Sequence, residues 1–215
     1  MSPPPTTSPL IIAVDGPTAS GKGTIAKALA AHYGLPHLDT GLLYRAVGRQ
    51  VELNLGNPDD AADALAACEF PTSLLDDPEL RSETTGGLAS RVSIHHGVRQ
   101  ALFARQRAFA TQGRGAVLDG RDIGTVIAPE ARAKLFITAS VAARAKRRHL
   151  EMIAAGRESQ LDEIAADLAA RDERDRNRKE APLRAAVDAA TLDTSELSRD
   201  AAIAAAIALV DSRIG

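Results

Sequence analysis

The chain has 215 residues, enough for one domain with a small insertion. Apolar residues make up 45% but aromatics only 3%, and Trp is absent, so any core must be built from Ala, Leu, Ile and Val. A net charge of −2 argues against a surface that binds nucleic acid as a whole, and a single cysteine, Cys68, excludes an internal disulfide and fits a reducing compartment.

Residues 1–9 are rich in Pro, Ser and Thr with no charged side chain. They read as a disordered tail and lack the basic start and apolar block of a secretion signal. The run Leu10–Val14 then predicts a buried strand, and Ile25–Leu29 falls within a helical pattern. Between them lies Gly16-Pro17-Thr18-Ala19-Ser20-Gly21-Lys22-Gly23-Thr24. Strand, Gly-rich loop, Lys, hydroxyl and helix is the layout of a phosphate-binding loop. Gly16 and Gly21 permit backbone that a β-carbon would block. The freed N–H groups then meet a polyphosphate at the positive end of the helix. Lys22 adds a point charge for the β- and γ-phosphates. The common pattern puts the hydroxyl directly after the Lys; here Gly23 intervenes and Thr24 carries it.

Further strands are predicted at Pro36–Leu38, Ala116–Leu118, Lys134–Thr138 and Ala190–Leu192. Helices are predicted at Gly23–His32, Gly41–Leu53, Leu88–Ala110, Val141–Ala154, Leu161–Arg174 and Ser198–Ser212. This alternation predicts an α/β fold of three layers, a central parallel five-stranded sheet flanked by helices. The stretch Gly56–Gly87 breaks the rhythm with Asn57-Pro58, Phe70-Pro71, Asp77-Pro78 and Gly86-Gly87, and reads as an insertion packed beside the sheet. The longest apolar run, Ala201–Val210, is too short to span a bilayer, so a cytoplasmic protein without a membrane partner is expected.

Ligands of such sheets sit beyond the carboxyl ends of the strands. The second strand leads into Asp39-Thr40-Gly41 and then Tyr44-Arg45. Thr40 reads either as a helix cap or as a pocket residue, and Arg45 either as a second phosphate ligand or as a solvated cation. The third strand runs into Asp119-Gly120-Arg121-Asp122. There Arg121 suits a forked grip on a phosphate, and a carboxylate can orient Mg²⁺ waters or accept from a base amine; the plainer reading is a tight turn with a local ion pair. In the run Arg171–Lys179, the residues Arg171, Arg174, Asp175 and Arg178 share one helix face by their spacing. That face is either solvated and laced with ion pairs or, beside a phosphate loop, a set of arginines closing over two polyanions. Asp172, Glu173, Asp175 and Glu180 weaken a nucleic-acid reading of this run. The five histidines, His95 and His96 among them, lack metal-ligand spacing, so the only metal implied is Mg²⁺ carried by a nucleotide, with no dedicated protein site.

Together, Asp15-Gly16-Pro17…Gly21-Lys22-Gly23-Thr24, Asp39-Thr40-Gly41…Tyr44-Arg45, Leu118-Asp119-Gly120-Arg121-Asp122-Ile123-Gly124-Thr125 and Arg171…Arg174-Asp175-Arg176-Asn177-Arg178…Ala181-Pro182-Leu183 resemble the bacterial cytidylate kinases, a branch of the nucleoside monophosphate kinases. The resemblance spans essentially Leu10 to the C-terminus. Gly-Lys-Gly-Thr is usual across the whole group; Asp-Gly-Arg-Asp and Arg-Asp-Arg-Asn-Arg single out this branch.

The resemblance implies a phosphate-loop kinase core over 10–215, a monophosphate-binding insertion at 56–98 and a lid at 149–179. It implies transfer of a phosphoryl group from Mg·ATP to CMP or dCMP by a monomer whose partners are these small molecules. It assigns Gly16 to Thr24 to the ATP phosphates and, more loosely, Arg144 and Arg147 to the donor nucleotide. Thr40 and Tyr44 line the CMP pocket. Arg45, Arg121 and Arg178 match grips on the CMP phosphate, Ser90, Arg99 and Asp122 match readers of cytosine, and Arg171 and Asp175 match contacts to the sugar. Lys22, Arg121, Arg174 and Arg178 are the catalytic cations so implied. One departure is the insertion, shorter than in many relatives and rich in Pro and Asp, where a trimmed or altered small sheet is expected. The nearest rival is a kinase for another monophosphate, UMP above all. A GTP-dependent switch would need an Asn-Lys-x-Asp, which the chain lacks. Small-metabolite kinases usually keep Ser or Thr directly after the Lys.

Overall fold

The computed structural model describes residues 9–215, so the tail expected over 1–9 lies, but for Pro9, outside the described residues. Five strands form one parallel sheet: β1 (Leu10–Asp15), β2 (His37–Asp39), β3 (Gly115–Gly120), β4 (Ala133–Thr138) and β5 (Ala190–Asp193). The spatial order is β2-β3-β1-β4-β5. β1 lies at the centre, with Asp15 opposite Gly120 on one side and Phe136 on the other. After β3 the chain crosses to the far side of β1, and the crevice at such a reversal is where an open α/β sheet receives its ligand.

The expected three layers are present. Successive side chains of a strand point to opposite faces, so β1 supplies two cores. Ile12 and Val14 join Leu135 and Ile137 of β4 against α1 (Lys22–Tyr33) and α8 (Arg199–Ile214). Ile11 and Ala13 join Leu118, Ile123 and Ile127 on the other face. With no Trp and few aromatics, α8 approaches the sheet closely on a stripe of Ala202, Ala206 and Val210.

A third core lies beside the sheet, between α2 (Thr40–Leu53), α3 (Ala61–Ala66), α4 (Glu83–Val92) and α5 (His96–Ala110). Leu43, Val47, Phe70, Leu80, Val92 and Leu102 meet there. This is the stretch that breaks the rhythm of the sequence. Among the described residues, 56–87 hold α3, two short 3-10 turns at Thr72–Asp76 and Pro78–Arg81 and the start of α4, joined by loops, with no strand, so the small sheet expected there is trimmed away.

The single helix expected over Leu88–Ala110 is corrected to α4 and α5, with a bend at Ser93 to His95. No Pro or Gly marks the bend. Tertiary bonds hold it: the His95 ring meets the Pro58 carbonyl at 2.9 Å, and the Ser93 carbonyl accepts from Arg99 at 3.4 Å. The bend turns Ser90 and Arg99 toward the same side, the cleft. Two further long helices, α6 (Val141–Ala154) and α7 (Leu161–Asn177), pack on each other, and Arg144 of α6 reaches the Thr18 carbonyl of the phosphate loop.

Candidate active site

One continuous cavity of about 950 Å³ opens at the carboxyl ends of β1, β2 and β3. One end is formed by the loop Gly16 to Gly21, of which Thr18 to Gly21 line the cavity. A β-carbon on Gly16 would sit 2.0 Å from the Ile137 carbonyl oxygen, so only glycine lets the loop leave β1 here. Gly21, at φ 86°, turns the chain in the left-handed region into α1. Lys22 follows on the first turn, its ammonium donating to the Pro17 carbonyl at 3.2 Å. Burial, and then the neighbouring Arg121 charge, lower its pKa to about 7.

The middle of the cavity belongs to Arg121. Its Nη2 donates to Thr18 Oγ1 of the loop at 2.6 Å, and its Nε to Asp175 Oδ2 of α7 at 2.9 Å. One guanidinium thus joins the phosphate loop, the end of β3 and α7. Burial works to raise the Asp175 carboxyl, but Arg121, Arg178 and Arg171 outweigh it and hold the pKa below the usual carboxylate range.

The far end is lined by Tyr44, Ser90, Arg99, Asp122 and Arg178. Arg99 and Asp122, both buried, form an ion pair, and Arg178 Nη2 stands 3.6 Å from the other Asp122 oxygen. The Arg99 guanidinium lies 5.7 Å from the centre of the Tyr44 ring. Arg45 donates to the carbonyls of Leu80 and Ser82 at 2.7 and 2.8 Å, and Arg171 to that of Gly86 at 3.2 Å. The two guanidinium groups converge where a Gly86 β-carbon would touch both. Burial comes first in lowering the pKa of both; repulsion from Arg171 comes second for Arg45, which falls to about 10, and repulsion from Arg121 comes second for Arg171. Such crowding of cations is costly unless an anion shares the site, so the cavity is built for polyanions.

Thr40 does not cap α2, whose Asp39 cap makes no side-chain bond; its hydroxyl donates to the Asp119 carbonyl at 2.8 Å and faces the cavity. The His37 ring and Asp119 lie 2.7 Å apart behind it. His37 gave no signal in the sequence, because its partner is 82 residues away.

A family model described as cytidylate kinase matches residues 12–212 of the chain. A protein of Xanthobacter autotrophicus named cytidylate kinase is 54% identical over 204 residues, 95% of this chain and 98% of that protein. One of the same name from a Caulobacter species is 53% identical over 203 residues, 94% of each chain. The chain belongs to the cytidylate kinase family. The solved structure of an uncharacterized protein from Eubacterium ventriosum is similar with a TM-score of 0.56 at 18% identity, covering 95% of this chain and 99% of that one. At that identity the likeness concerns the fold alone.

Not every residue expected from the cytidylate kinase pattern lies on the cavity wall. Arg147 does, held by Thr194 Oγ1 at 3.1 Å. Arg144 does not: it is 1% exposed, donates to the Thr18 and Ala139 carbonyls, and pairs with Asp172 of α7 at 2.6 Å. It ties α7 to the back of the phosphate loop. Arg174 is exposed, and its Nε reaches Ser90 Oγ at 3.2 Å. The shared helix face of Arg171, Arg174, Asp175 and Arg178 is also corrected. Arg171 and Asp175 are buried on α7 facing the cavity, whereas Arg178 lies just past the helix end in extended backbone. A turn through Ala181, at φ 47°, returns the Leu183 N–H to the Asp175 carbonyl and brings Arg178 to Asp122. Glu83 and Arg148, unremarked in the sequence, pair across the cavity between α4 and α6.

The buried Arg144–Asp172 pair gives a stability prediction. Asp172→Ala leaves a buried guanidinium without its counter-charge and is expected to lower unfolding free energy by about 3–5 kcal/mol in urea melts. A double change, Arg144→Met with Asp172→Leu, should recover most of it. A loss below about 1 kcal/mol in the single variant contradicts this role.

Proposed function

We propose that the protein transfers the γ-phosphoryl group of ATP to CMP or dCMP, giving ADP and CDP or dCDP. The observation that carries this reading is the single cavity that runs from Lys22 to the Arg99–Asp122 pair with Arg121 midway. In this reading the loop from Gly16 to Thr24 holds the ATP phosphates, with Arg147 near the donor. Arg45, Arg121 and Arg178 grip the CMP phosphate, and Arg171 and Asp175 meet the sugar. Thr40 and Tyr44 wall the pocket, and Ser90, Arg99 and Asp122 read cytosine, whose exocyclic amine donates to the Asp122 carboxylate where uracil offers an acceptor. Residues 56–98 act as the monophosphate-binding insertion and 149–179 as the lid.

The chemistry asks little of a base. The acceptor phosphate has a second pKa near 6, so it is mostly dianionic near neutrality. Positioning two polyanions in line and neutralising the transferred charge is the remaining task, met by Lys22 and Arg121 with Arg174 and Arg178. Closure of the lid excludes water and so suppresses hydrolysis of ATP.

Among the described residues no cluster of three or more His, Cys, Asp or Glu could hold a metal ion. The residues fit a Mg²⁺ carried by the nucleotide, because the Asp39 and Asp119 carboxylates lie close enough to Lys22 to raise its pKa against burial. With Thr24 they would hold the ion's waters, and the ion would neutralise phosphate charge.

Mixing the protein with Mg·ATP and CMP is expected to produce ADP and CDP in equal amounts; ADP without CDP would make it a hydrolase. The lowered Lys22 pKa gives a pH dependence. A polyphosphate beside Lys22 raises that pKa again, so above pH 7 binding must take up a proton. The ATP affinity measured by calorimetry should therefore fall as pH rises from about 7 to 9, at most tenfold per unit. Lys22→Met should weaken binding and flatten the curve; an equally steep curve in that variant contradicts the assignment to Lys22.

A further inference from the structure

Asp15 is a buried carboxyl, 4% exposed, that the proposed chemistry leaves unused. It ends β1, directly before Gly16 of the phosphate loop, and its own side chain does not line the cavity. Its Oδ1 accepts from the Ile123 N–H and its Oδ2 from the Gly124 N–H, both at 2.8 Å. Those two amides directly follow Arg121 and Asp122. They open a single π-helical turn, Ile123–Ile127, in which the N–H groups of Val126 and Ile127 both bond the Asp122 carbonyl, at 2.9 and 3.1 Å. The first N–H groups of a helical turn have no partner within it, and Asp15 supplies one for two of them.

We infer that Asp15 is a positioning residue, one carboxylate that fixes the Arg121–Asp122 segment in register with the phosphate loop. β1 is held by β3 on one side and β4 on the other, so its end is the rigid partner. The segment beyond β3 is the adjustable one. Shifting it moves Arg121 away from Thr18 and Asp175, and Asp122 away from Arg99 and Arg178. A carboxylate here is not the choice for stability alone. Burial pushes its pKa from 3.8 up to about 7 despite the two amide bonds that lower it, so stability is lost as the pH rises from the ordinary carboxylate range through about 7, where the unfolded chain is already ionised. The charges facing it are those of Asp122, which raises the pKa further, and Arg121, which lowers it.

The inference rests on the CMP kinase reading, and the test separates the two. Asp15→Asn keeps the shape but turns an amide nitrogen toward an N–H donor. It should lower kcat/KM for CMP about 100-fold, as a displacement of about 1 Å does, while KM for ATP stays within about twofold. Hydrogen exchange in the nucleotide-free protein should lose protection at the Ile123 and Gly124 amides, a readout independent of turnover. If Asp15→Asn does not fold, Asp15→Ser, which keeps one acceptor, carries the same expectations. Unchanged CMP kinetics in a folded variant, KM values for both substrates rising together, or undisturbed protection of the two amides would each overturn the inference. Absence of CMP turnover in the unaltered protein would instead overturn the functional reading.

Discussion

Lys22→Ala is expected to lower kcat about 1,000-fold, the scale for removing a donor that meets developing charge, while leaving the chain folded. Lys22 belongs to none of the three cores, and its one side-chain hydrogen bond, to the Pro17 carbonyl, is made within the loop itself. Its ammonium is held at a pKa of about 7 by burial and by Arg121, so removing it relieves a desolvated charge. The melting temperature should therefore hold or rise slightly. Steady-state kinetics with saturating CMP, beside a thermal melt, decides the matter. A variant that keeps wild-type kcat contradicts the phosphate-loop role, and one that unfolds contradicts the account of where the stability resides.

Asp122→Ala is expected to raise KM for CMP about 10- to 100-fold, the range for one hydrogen bond to a charged group. The preference for CMP over UMP should narrow at the same time. Asp122 is buried and faces Arg99 and Arg178, so its removal also strands two guanidinium groups and should cost stability. Asp122→Asn separates the effects. It keeps the shape and one acceptor, and adds a donor that suits the uracil carbonyl. The CMP/UMP ratio should fall in this variant more than the melting temperature does. An unchanged ratio removes Asp122 from base reading, whatever happens to stability.

The phosphate loop was legible because every requirement is local: an apolar strand, glycines at the two ends of the loop, and Lys22 entering a helix. The same holds for the sheet, since strands buried on both faces read as short apolar runs between helices. What escaped depends on contacts across the fold. The bend between α4 and α5 has no breaker residue and is set by Pro58 and Arg99. The turn Ile123–Ile127 is rich in β-branched residues and gives no helical signal; Asp15, more than a hundred residues earlier, holds it in place. Arg144 carries the same charge as Arg147, yet one is buried against Asp172 and the other faces the cavity. Nothing in the local pattern of α6 tells them apart. Arg178 reached the cavity by a route other than the expected helix face, through the turn at Ala181.

In the proposed reading, the Ser90–Arg99–Asp122 end of the cavity selects cytosine. The most direct test is ADP release from Mg·ATP with CMP, dCMP, UMP, AMP and GMP offered separately, compared as kcat/KM. Strong turnover is expected with CMP and dCMP, and values lower by about two orders of magnitude or more with the rest. Comparable or greater turnover with UMP or a purine monophosphate would contradict the base-reading assignment while leaving the phosphoryl-transfer site in place.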